Sequence, residues 1–350
     1  MSYRPLVSIV INNYNYARFV KEAIDSAIKQ TYSLIEVIVV DDGSTDNSQE
    51  IIASYGDRII SVFQENGGQA SAFNAGFAAS KGEIICFLDA DDVFVPNKVS
   101  QIVDLFAQIN QSSNITLFHS LEAIDENSKS LKFKRDESCE LSDLNYQRAL
   151  NRQTEQKLTK ISTSSEVYQH ARKYRYVPYL AAPTSGLILN RSLAQNIFPL
   201  PCEGIKTSAD DFVVKAAALL SDIYATDLVL AGYRIHNSNN WYGKKRPHQY
   251  SFLCQVDEYL NSKLQSINQQ PVLSYFDSLH ATKYYQGYYG EDSCKKKRLL
   301  LAIKAVTWHT NLRTIKFFIK TTYQINIALL SSLFNGLFNL KLLSAFNTKS

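Results

Sequence analysis

Two apolar runs early in the chain end in clustered carboxylates. Ile84-Ile85-Cys86-Phe87-Leu88 leads straight into Asp89-Ala90-Asp91-Asp92. Five apolar residues between Gly82 and a polar cluster read as a buried strand. Three carboxylates at its end repel one another and lose hydration, so something positive must compensate. A divalent cation is the usual partner. Upstream, Val37-Ile38-Val39-Val40 leads into Asp41-Asp42-Gly43, and Ser44, Thr45 and Asp46 offer caps to a following helix. One acidic strand end is an ordinary helix cap; two so close in the chain indicate a shared ligand. In open α/β sheets ligands bind beyond the carboxyl ends of strands, where both clusters fall.

The first 120 residues alternate the two periodicities. Strand-like runs cover residues 7–11, 35–40, 58–63, 83–88 and 115–119. Helical spacing marks Phe19 to Ile28, Ile51 to Tyr55, Gln69 to Ser80 and Val99 to Ile109, the last helix opening near Pro96. This order predicts an α/β fold, a mixed, mainly parallel sheet with helices on both faces. Residues 125–176 are charged, rich in Ser and Gln and weakly periodic, which predicts a partly helical excursion from the sheet. Strand character returns at Ser185 to Leu189 and at Leu228 to Ile235, with an apolar helix after Asp210-Asp211. Beyond residue 240 the pattern is mostly helical and aromatic, so the expected division is one α/β domain over 1–240 and a helical, basic region over 241–350.

Several classes are disfavoured. Gly67-Gly68 precedes a helix, but no G-x-G-x-x-G follows the first strand and no G-x-x-x-x-G-K-[ST] occurs, which argues against a dinucleotide-binding domain and a P-loop ATPase. The five cysteines are widely spaced with no C-x-x-C pair, which argues against a disulfide frame and a zinc site and for a reducing compartment. The start, Met1-Ser2-Tyr3-Arg4-Pro5, has no basic and apolar leader, so a cytoplasmic location is expected.

Charge is uneven. Residues 281–350 carry a balance of +9, and residues 1–280 carry −5. A basic tail seeks an anionic partner; because this one is also apolar, membrane lipid fits better than nucleic acid. Asn326, Asn335, Asn339 and Lys341 interrupt its last apolar stretch, which favours a helix lying on the inner face of a plasma membrane over one that crosses it. Helices packed on the α/β domain, with Tyr284, Tyr285, Tyr288 and Tyr289 as core, are an equal alternative.

Four ordered stretches carry a resemblance. They are Pro5 to Asn15 (PLVSIVINNYN), Val39 to Asp46 (VVDDGSTD), Asn66 to Asn74 (NGGQASAFN) and Lys81 to Asp92 (KGEIICFLDADD). Residues 5–106 and 180–240 resemble the family 2 glycosyltransferases, whose nucleotide-sugar domain has the GT-A fold. The resemblance makes Asp89 and Asp91 a D-x-D motif assisted by Asp92, holding Mn²⁺ or Mg²⁺ with His236 completing the shell. It gives Asn13, Tyr14 and Asn15 to a nucleoside pocket and the Asp42 carboxylate, beside Asp41, to the base. Asn74, Asp89, Ala90 and Arg234 are further donor contacts, Arg234 by neutralising charge. Asp211 matches a general base, and Asp210 stands where Glu is common. Asn12 departs from the proline or threonine frequent at its position. The implied activity is inverting transfer of a sugar from a nucleotide diphosphate sugar, UDP-linked by preference, to a saccharide or lipid-linked acceptor in surface polysaccharide or glycolipid synthesis. An inactive nucleotide-sugar-binding scaffold and a metal-dependent nucleotidyltransferase are the alternatives.

Overall fold

The computed structural model describes residues 3–109, 113–131, 158–178, 183–203, 207–237, 239, 250–273 and 319. The centre is β1 (Val7–Asn13), buried along almost its whole length. It lies parallel between β2 (Ile35–Asp42) and β4 (Ile84–Asp89). The register sets Asn13 beside Asp41 and Asn12 beside Asp89, so the two acidic strand ends share one edge of the sheet.

Helices on both faces explain why these strands are continuous apolar runs. On one face, α1 (Ala17–Ile28) buries Phe19, Val20, Ala23, Ile24 and Ala27. With α4 (Lys98–Phe106) it closes a core over Ile9, Ile11, Val37, Val39, Cys86 and Leu88. Each such side chain contributes roughly 1.5–3 kcal/mol on burial. Between them lie α2 (Ser48–Ala53), β3 (Ile60–Gln64), parallel to β2, and α3 (Gln69–Ala79). The α3 sequence is rich in Ala and Gly because it presses close on the opposite face. A Cβ on Gly76 would stand 2.3 Å from Val10 Cγ1 and 3.3 Å from Val40 Cγ2.

The remaining strands are β5 (Val93–Phe94), β6 (Ile115–Ile124), β7 (Thr159–Ser162), β8 (Leu187–Asn190) and β9 (Asp222–Arg234). Among the described residues the sheet runs β3-β2-β1-β4-β8-β6-β9-β5, with β7 against β9. The β1, β2, β3 and β4 pairings and β6–β9 are parallel; β8, β7 and β5 pair antiparallel. Most of the paired length is parallel, and the sheet is mixed, as expected. The other helices among the described residues are α5 (Ser164–Tyr174), α6 (Arg191–Ile197), α7 (Asp210–Leu220) and α8 (Tyr250–Ser266). Every α7 residue from Asp211 onward is buried, and its Phe212 ring meets Tyr259 of α8 at 5.4 Å.

Several boundaries differ from expectation. β1 and β2 run on through Asn13 and Asp42, because pairing with neighbours carries polar residues that apolar periodicity does not register. β6 reaches Ile124, and β9 starts at Asp222, six residues before the expected Leu228; a bulge near Ser120 accommodates their long pairing. Residues 159–162, expected to lie in an excursion from the sheet, pair with β9. Arg58 closes a 3₁₀ turn before β3, and α4 opens at Lys98.

The described chain falls into two units. The larger comprises Met1–Lys173, Val177–Lys244 and Gln255–Leu273 and contains every residue of the site described below. The other falls mostly on residues that are not described. The basic stretch from Lys295 and the expected membrane-facing helix lie outside the described residues, Ile319 excepted. No helix among the described residues is long and apolar enough to cross a membrane.

The approach of α3 to β1 gives a test. Gly76→Ala adds helix propensity of about 1 kcal/mol. The new methyl has no room beside Val10, and overpacking costs about 1–3 kcal/mol. We expect a net loss of stability, read as a lower urea midpoint with an unchanged slope.

Candidate active site

The turn after β2 is built by the residues expected to line a nucleoside pocket. Asp41 is wholly buried, and its carboxylate must therefore find donors. It accepts from Asn13 Nδ2 at 2.7 Å, Ser44 Oγ at 2.6 Å, the Ser44 amide at 3.0 Å and Gln49 Nε2 at 3.1 Å. Asn15, at φ 58°, accepts the Thr45 amide at 2.7 Å and donates its own amide to Ser44 Oγ at 2.9 Å. Ser44 and Thr45 thus hold the turn and cap no helix. Asp46 instead accepts the amides of Ser48 and Ala17, joining the starts of α2 and α1. Asn13 and Asp41 shape this end of the sheet from within, while Asn15 and Tyr14, the latter 46% exposed, lie at its surface.

Asp42 points to the opposite face of the sheet, toward α3. Its Oδ1 accepts from Gln64 Nε2 at 2.6 Å and the Gly67 amide at 2.9 Å; its Oδ2 accepts the Gly68 amide at 2.8 Å. The conformation at Gly68, φ 89°, is one a side chain would strain, which is why glycine precedes α3. A shallow hollow opens here, lined by Gly43, Ser44, Gln49, Phe63, Gln64 and Asn66.

The end of β4 is crowded. Asp92 is buried; its Oδ1 accepts the Arg234 amide at 2.8 Å, and its Oδ2 has no partner. Asp91 Oδ2 lies 3.0 Å from His236 Nε2. The Asp89 amide donates to Ser185 Oγ at 3.1 Å. Removal from water, then the charges of Asp92, Asp91 and Asp210, push the Asp89 carboxyl well above the usual range. Burial and then Asp91 do the same to Asp92. Three carboxylates, an imidazole and one buried unpartnered oxygen are donors of the kind that Mn²⁺ or Mg²⁺ takes. Among the described residues no three of these groups close into a ready-made cage. Ala90 is buried in the core.

Two tyrosines that sequence reasoning missed stand beside this cluster. Burial, followed by the field of Asp91, Asp89 and Asp92, raises the Tyr16 phenol; burial and the same carboxylates, Asp92 first, raise Tyr233. The only signals were position: Tyr16 follows Tyr14 by two residues, and Tyr233 precedes Arg234. The Tyr16 and Phe19 rings pack on His236, at 5.8 and 4.9 Å between centroids.

Arg234 and Asn74 are placed differently from expectation. The Arg234 guanidinium has no exposed surface and donates to the Asp91 carbonyl at 2.6 Å, the Asp125 carbonyl at 3.1 Å, Ser128 Oγ at 3.0 Å and Glu22 Oε2 at 2.7 Å. Its charge is spent inside the protein; what it holds is the backbone at Asp91. Asn74 bonds both amide and carbonyl of Leu200, at 2.7 and 2.9 Å, and so ties α3 to the chain after α6.

The start of α7 completes the edge. Asp211 Oδ2 meets Lys215 Nζ at 2.9 Å, and both side chains are buried. Burial and then Asp211 push the Asp210 carboxyl up to about 7. Asp210 is one of the charges felt by Asp89, so it faces the carboxylate cluster. The Ala209 amide donates to Gln69 Oε1 at 2.9 Å, which joins the starts of α7 and α3.

The sequence profile described as Glycosyl transferase family 2 matches residues 8–166. An uncharacterized glycosyltransferase of Nostoc sp. is 37% identical over 239 residues, 67% of this chain and 66% of the relative. One of Rickettsia typhi is 44% identical over 132 residues, 38% of this chain and 41% of the relative. The chain thus spans about two thirds of the first relative's length and two fifths of the second's. Among solved structures, S. aureus TarS 1–349 in complex with UDP-GlcNAc is similar with a TM-score of 0.52 at 15% identity, covering 90% of this chain and 79% of that one. At that identity the likeness is one of fold. Profile, relatives and fold agree: the chain belongs to glycosyl transferase family 2 and has the GT-A fold.

Proposed function

We propose that the chain is an inverting glycosyltransferase using a nucleotide diphosphate sugar, with UDP-sugars preferred. The observation that carries this reading is the shared edge. Asp42 and the Asp89-Asp91-Asp92 cluster stand at the ends of the two strands that flank β1, and the charge of Asp210, at the start of α7, reaches Asp89; this supports reading them as base, diphosphate and acceptor ends of one site. Residues 1–240 form the catalytic domain on this reading.

Asp42 takes the base. Each carboxylate oxygen has two acceptor sites, and Oδ2 uses one on Gly68, so one remains for an N–H of uracil. Asp89, Asp91, Asp92 and His236 hold Mn²⁺ or Mg²⁺, which when bound supplies positive charge to the departing diphosphate. Tyr16 and Tyr233, kept neutral, stay hydrogen-bond donors toward the same region. Asp211 takes the proton of the attacking hydroxyl, a contribution of about 10²–10⁴-fold. Its ion pair with Lys215 fixes the carboxylate in one orientation. One base facing the leaving group across the sugar inverts the anomeric centre. The same reading gives the basic region 241–350 to an anionic inner membrane surface, where a lipid-linked or saccharide acceptor is met.

The test of the donor reading is calorimetric. In Mn²⁺, UDP should bind more tightly than GDP, and Asp91→Asn should weaken UDP binding severalfold. Equal UDP affinity with and without a chelator counts against the metal, and tighter GDP binding counts against uracil.

The base is tested by turnover. Asp211→Asn keeps the size but cannot take a proton, so kcat should fall at least about 10²-fold with donor affinity nearly intact. Near-normal turnover there, with loss in Asp210→Asn, moves the base to Asp210.

For the tail, flotation with anionic liposomes should carry the full chain at low salt and fail as salt rises, since each basic residue near such a surface contributes about 1 kcal/mol. A full chain that stays in the soluble fraction at low salt refutes the membrane assignment.

A further inference from the structure

Among the described residues two lysines, Lys98 and Lys215, have no exposed surface. Lys215 meets Asp211. Lys98 has no such match: no carboxylate lies within ion-pair distance of it among the described residues. Its Nζ donates to the Ser185 carbonyl at 2.8 Å and lies 3.4 Å from the centre of the Phe94 ring. Burial brings its pKa down to about 7. A buried ammonium without a counter-charge is costly, and an apolar side chain would fill the same volume more cheaply. What this lysine touches gives the reason for keeping it.

Ser185 is the middle of a single 3₁₀ turn, Thr184–Gly186, that leads into β8. All three of its residues are buried. The Ser185 carbonyl takes Lys98 from below, and its hydroxyl takes the Asp89 amide from above. The turn also turns hydroxyls toward the carboxylates: Thr184 acts on Asp89 and Ser185 on Asp92, each lowering a pKa that burial raises. A continuous path therefore runs from the Lys98 ammonium through Ser185 to the backbone of Asp89. It is the only cation beneath this strand end that the described structure commits to the turn.

We propose that Lys98 is a positioning residue for the donor diphosphate: it pins the Thr184–Gly186 turn under the end of β4, and so sets where Asp89 and Asp92 stand. The proposal rests on the reading of that edge as the diphosphate site. It adds a residue outside all four motifs, on α4, whose effect reaches the ligand only through another side chain. Removing such supporting partners of metal-ligating groups typically costs about 10–100-fold in metal affinity or activity.

The experiment compares two probes on the full chain. UDP in Mn²⁺ reports on the carboxylate edge; UMP without metal reports on the Asp42 end alone. Lys98→Met keeps the length and the contact with Phe94 while removing charge and bond. We expect UDP affinity in Mn²⁺ to fall about 10–100-fold while UMP affinity is unchanged. Lys98→Gln retains an N–H donor and should recover part of the loss. Wild-type UDP affinity in Lys98→Met overturns the proposal. So does an equal loss of UDP and UMP in a variant with native circular dichroism, which is the mark of a general packing role. If Lys98→Met does not fold, Ser185→Ala decides, since it deletes only the hydroxyl that meets Asp89: unchanged UDP affinity there overturns the proposal, and a selective loss supports it. Absence of UDP binding by the unsubstituted chain defeats the functional reading, and this proposal with it.

Discussion

The carboxyl edge of this sheet is organised around one electrostatic problem, the placement of Asp89, Asp91 and Asp92 side by side where water barely reaches. Burial and mutual repulsion both favour the neutral acid, and Asp89 and Asp92 are raised accordingly. The fold answers with dipoles more than with charges. The Arg234 amide reaches Asp92, and the Thr184 and Ser185 hydroxyls face the cluster. The guanidinium of Arg234 turns away, onto Glu22 and three oxygens of the chain. On the proposed reading, a full positive charge set directly on the carboxylates would quench the field that draws in a cation, and holding them by neutral donors leaves that field in place.

The same separation of building from binding runs along β1 and β2. Neighbouring aspartates on a strand point to opposite faces, so Asp41 and Asp42 have different tasks. Asp41 faces the α1 side and is consumed by Asn13, Ser44 and Gln49. Asp42 faces α3 and meets the two glycine amides that open that helix. Strand alternation, more than residue type, sets which partners each aspartate meets here.

That division marks how far the sequence could be read. Strands of five or more apolar residues and amphipathic helices such as α1 were legible, because burial on both faces or on one leaves a period. Four-residue β7 left none, and neither did the polar first half of β9. In the site, the two carboxylate clusters were legible as acidic strand ends, and the register of β1 with β2 and β4 brings them to one edge. The orientation of Arg234 and Asn74 was not. Their partners lie 212 and 126 residues away, at Glu22 and Leu200, and local pattern carries no trace of such distances. Lys98 escaped for the same reason: a lone lysine opening a helix looks solvated until the turn it serves folds against it from residue 185.

The two buried lysines show how the fold weighs charge at this edge. Lys215 stands one helical turn after Asp211 and is paired with it, so that carboxylate is held by a fixed counter-charge supplied by its own helix. Lys98 is placed beside a carbonyl and a ring, one step removed from any acid. Where a carboxylate is to act on a proton, a local partner that fixes its orientation is an advantage. Where carboxylates are to receive a cation, a lysine in contact would compete for the place. On the proposed reading, this is why an ammonium stands against Asp211 while Lys98 reaches Asp89 only through Ser185. The first cation orients a side chain, and the second supports the turn on which the others rest.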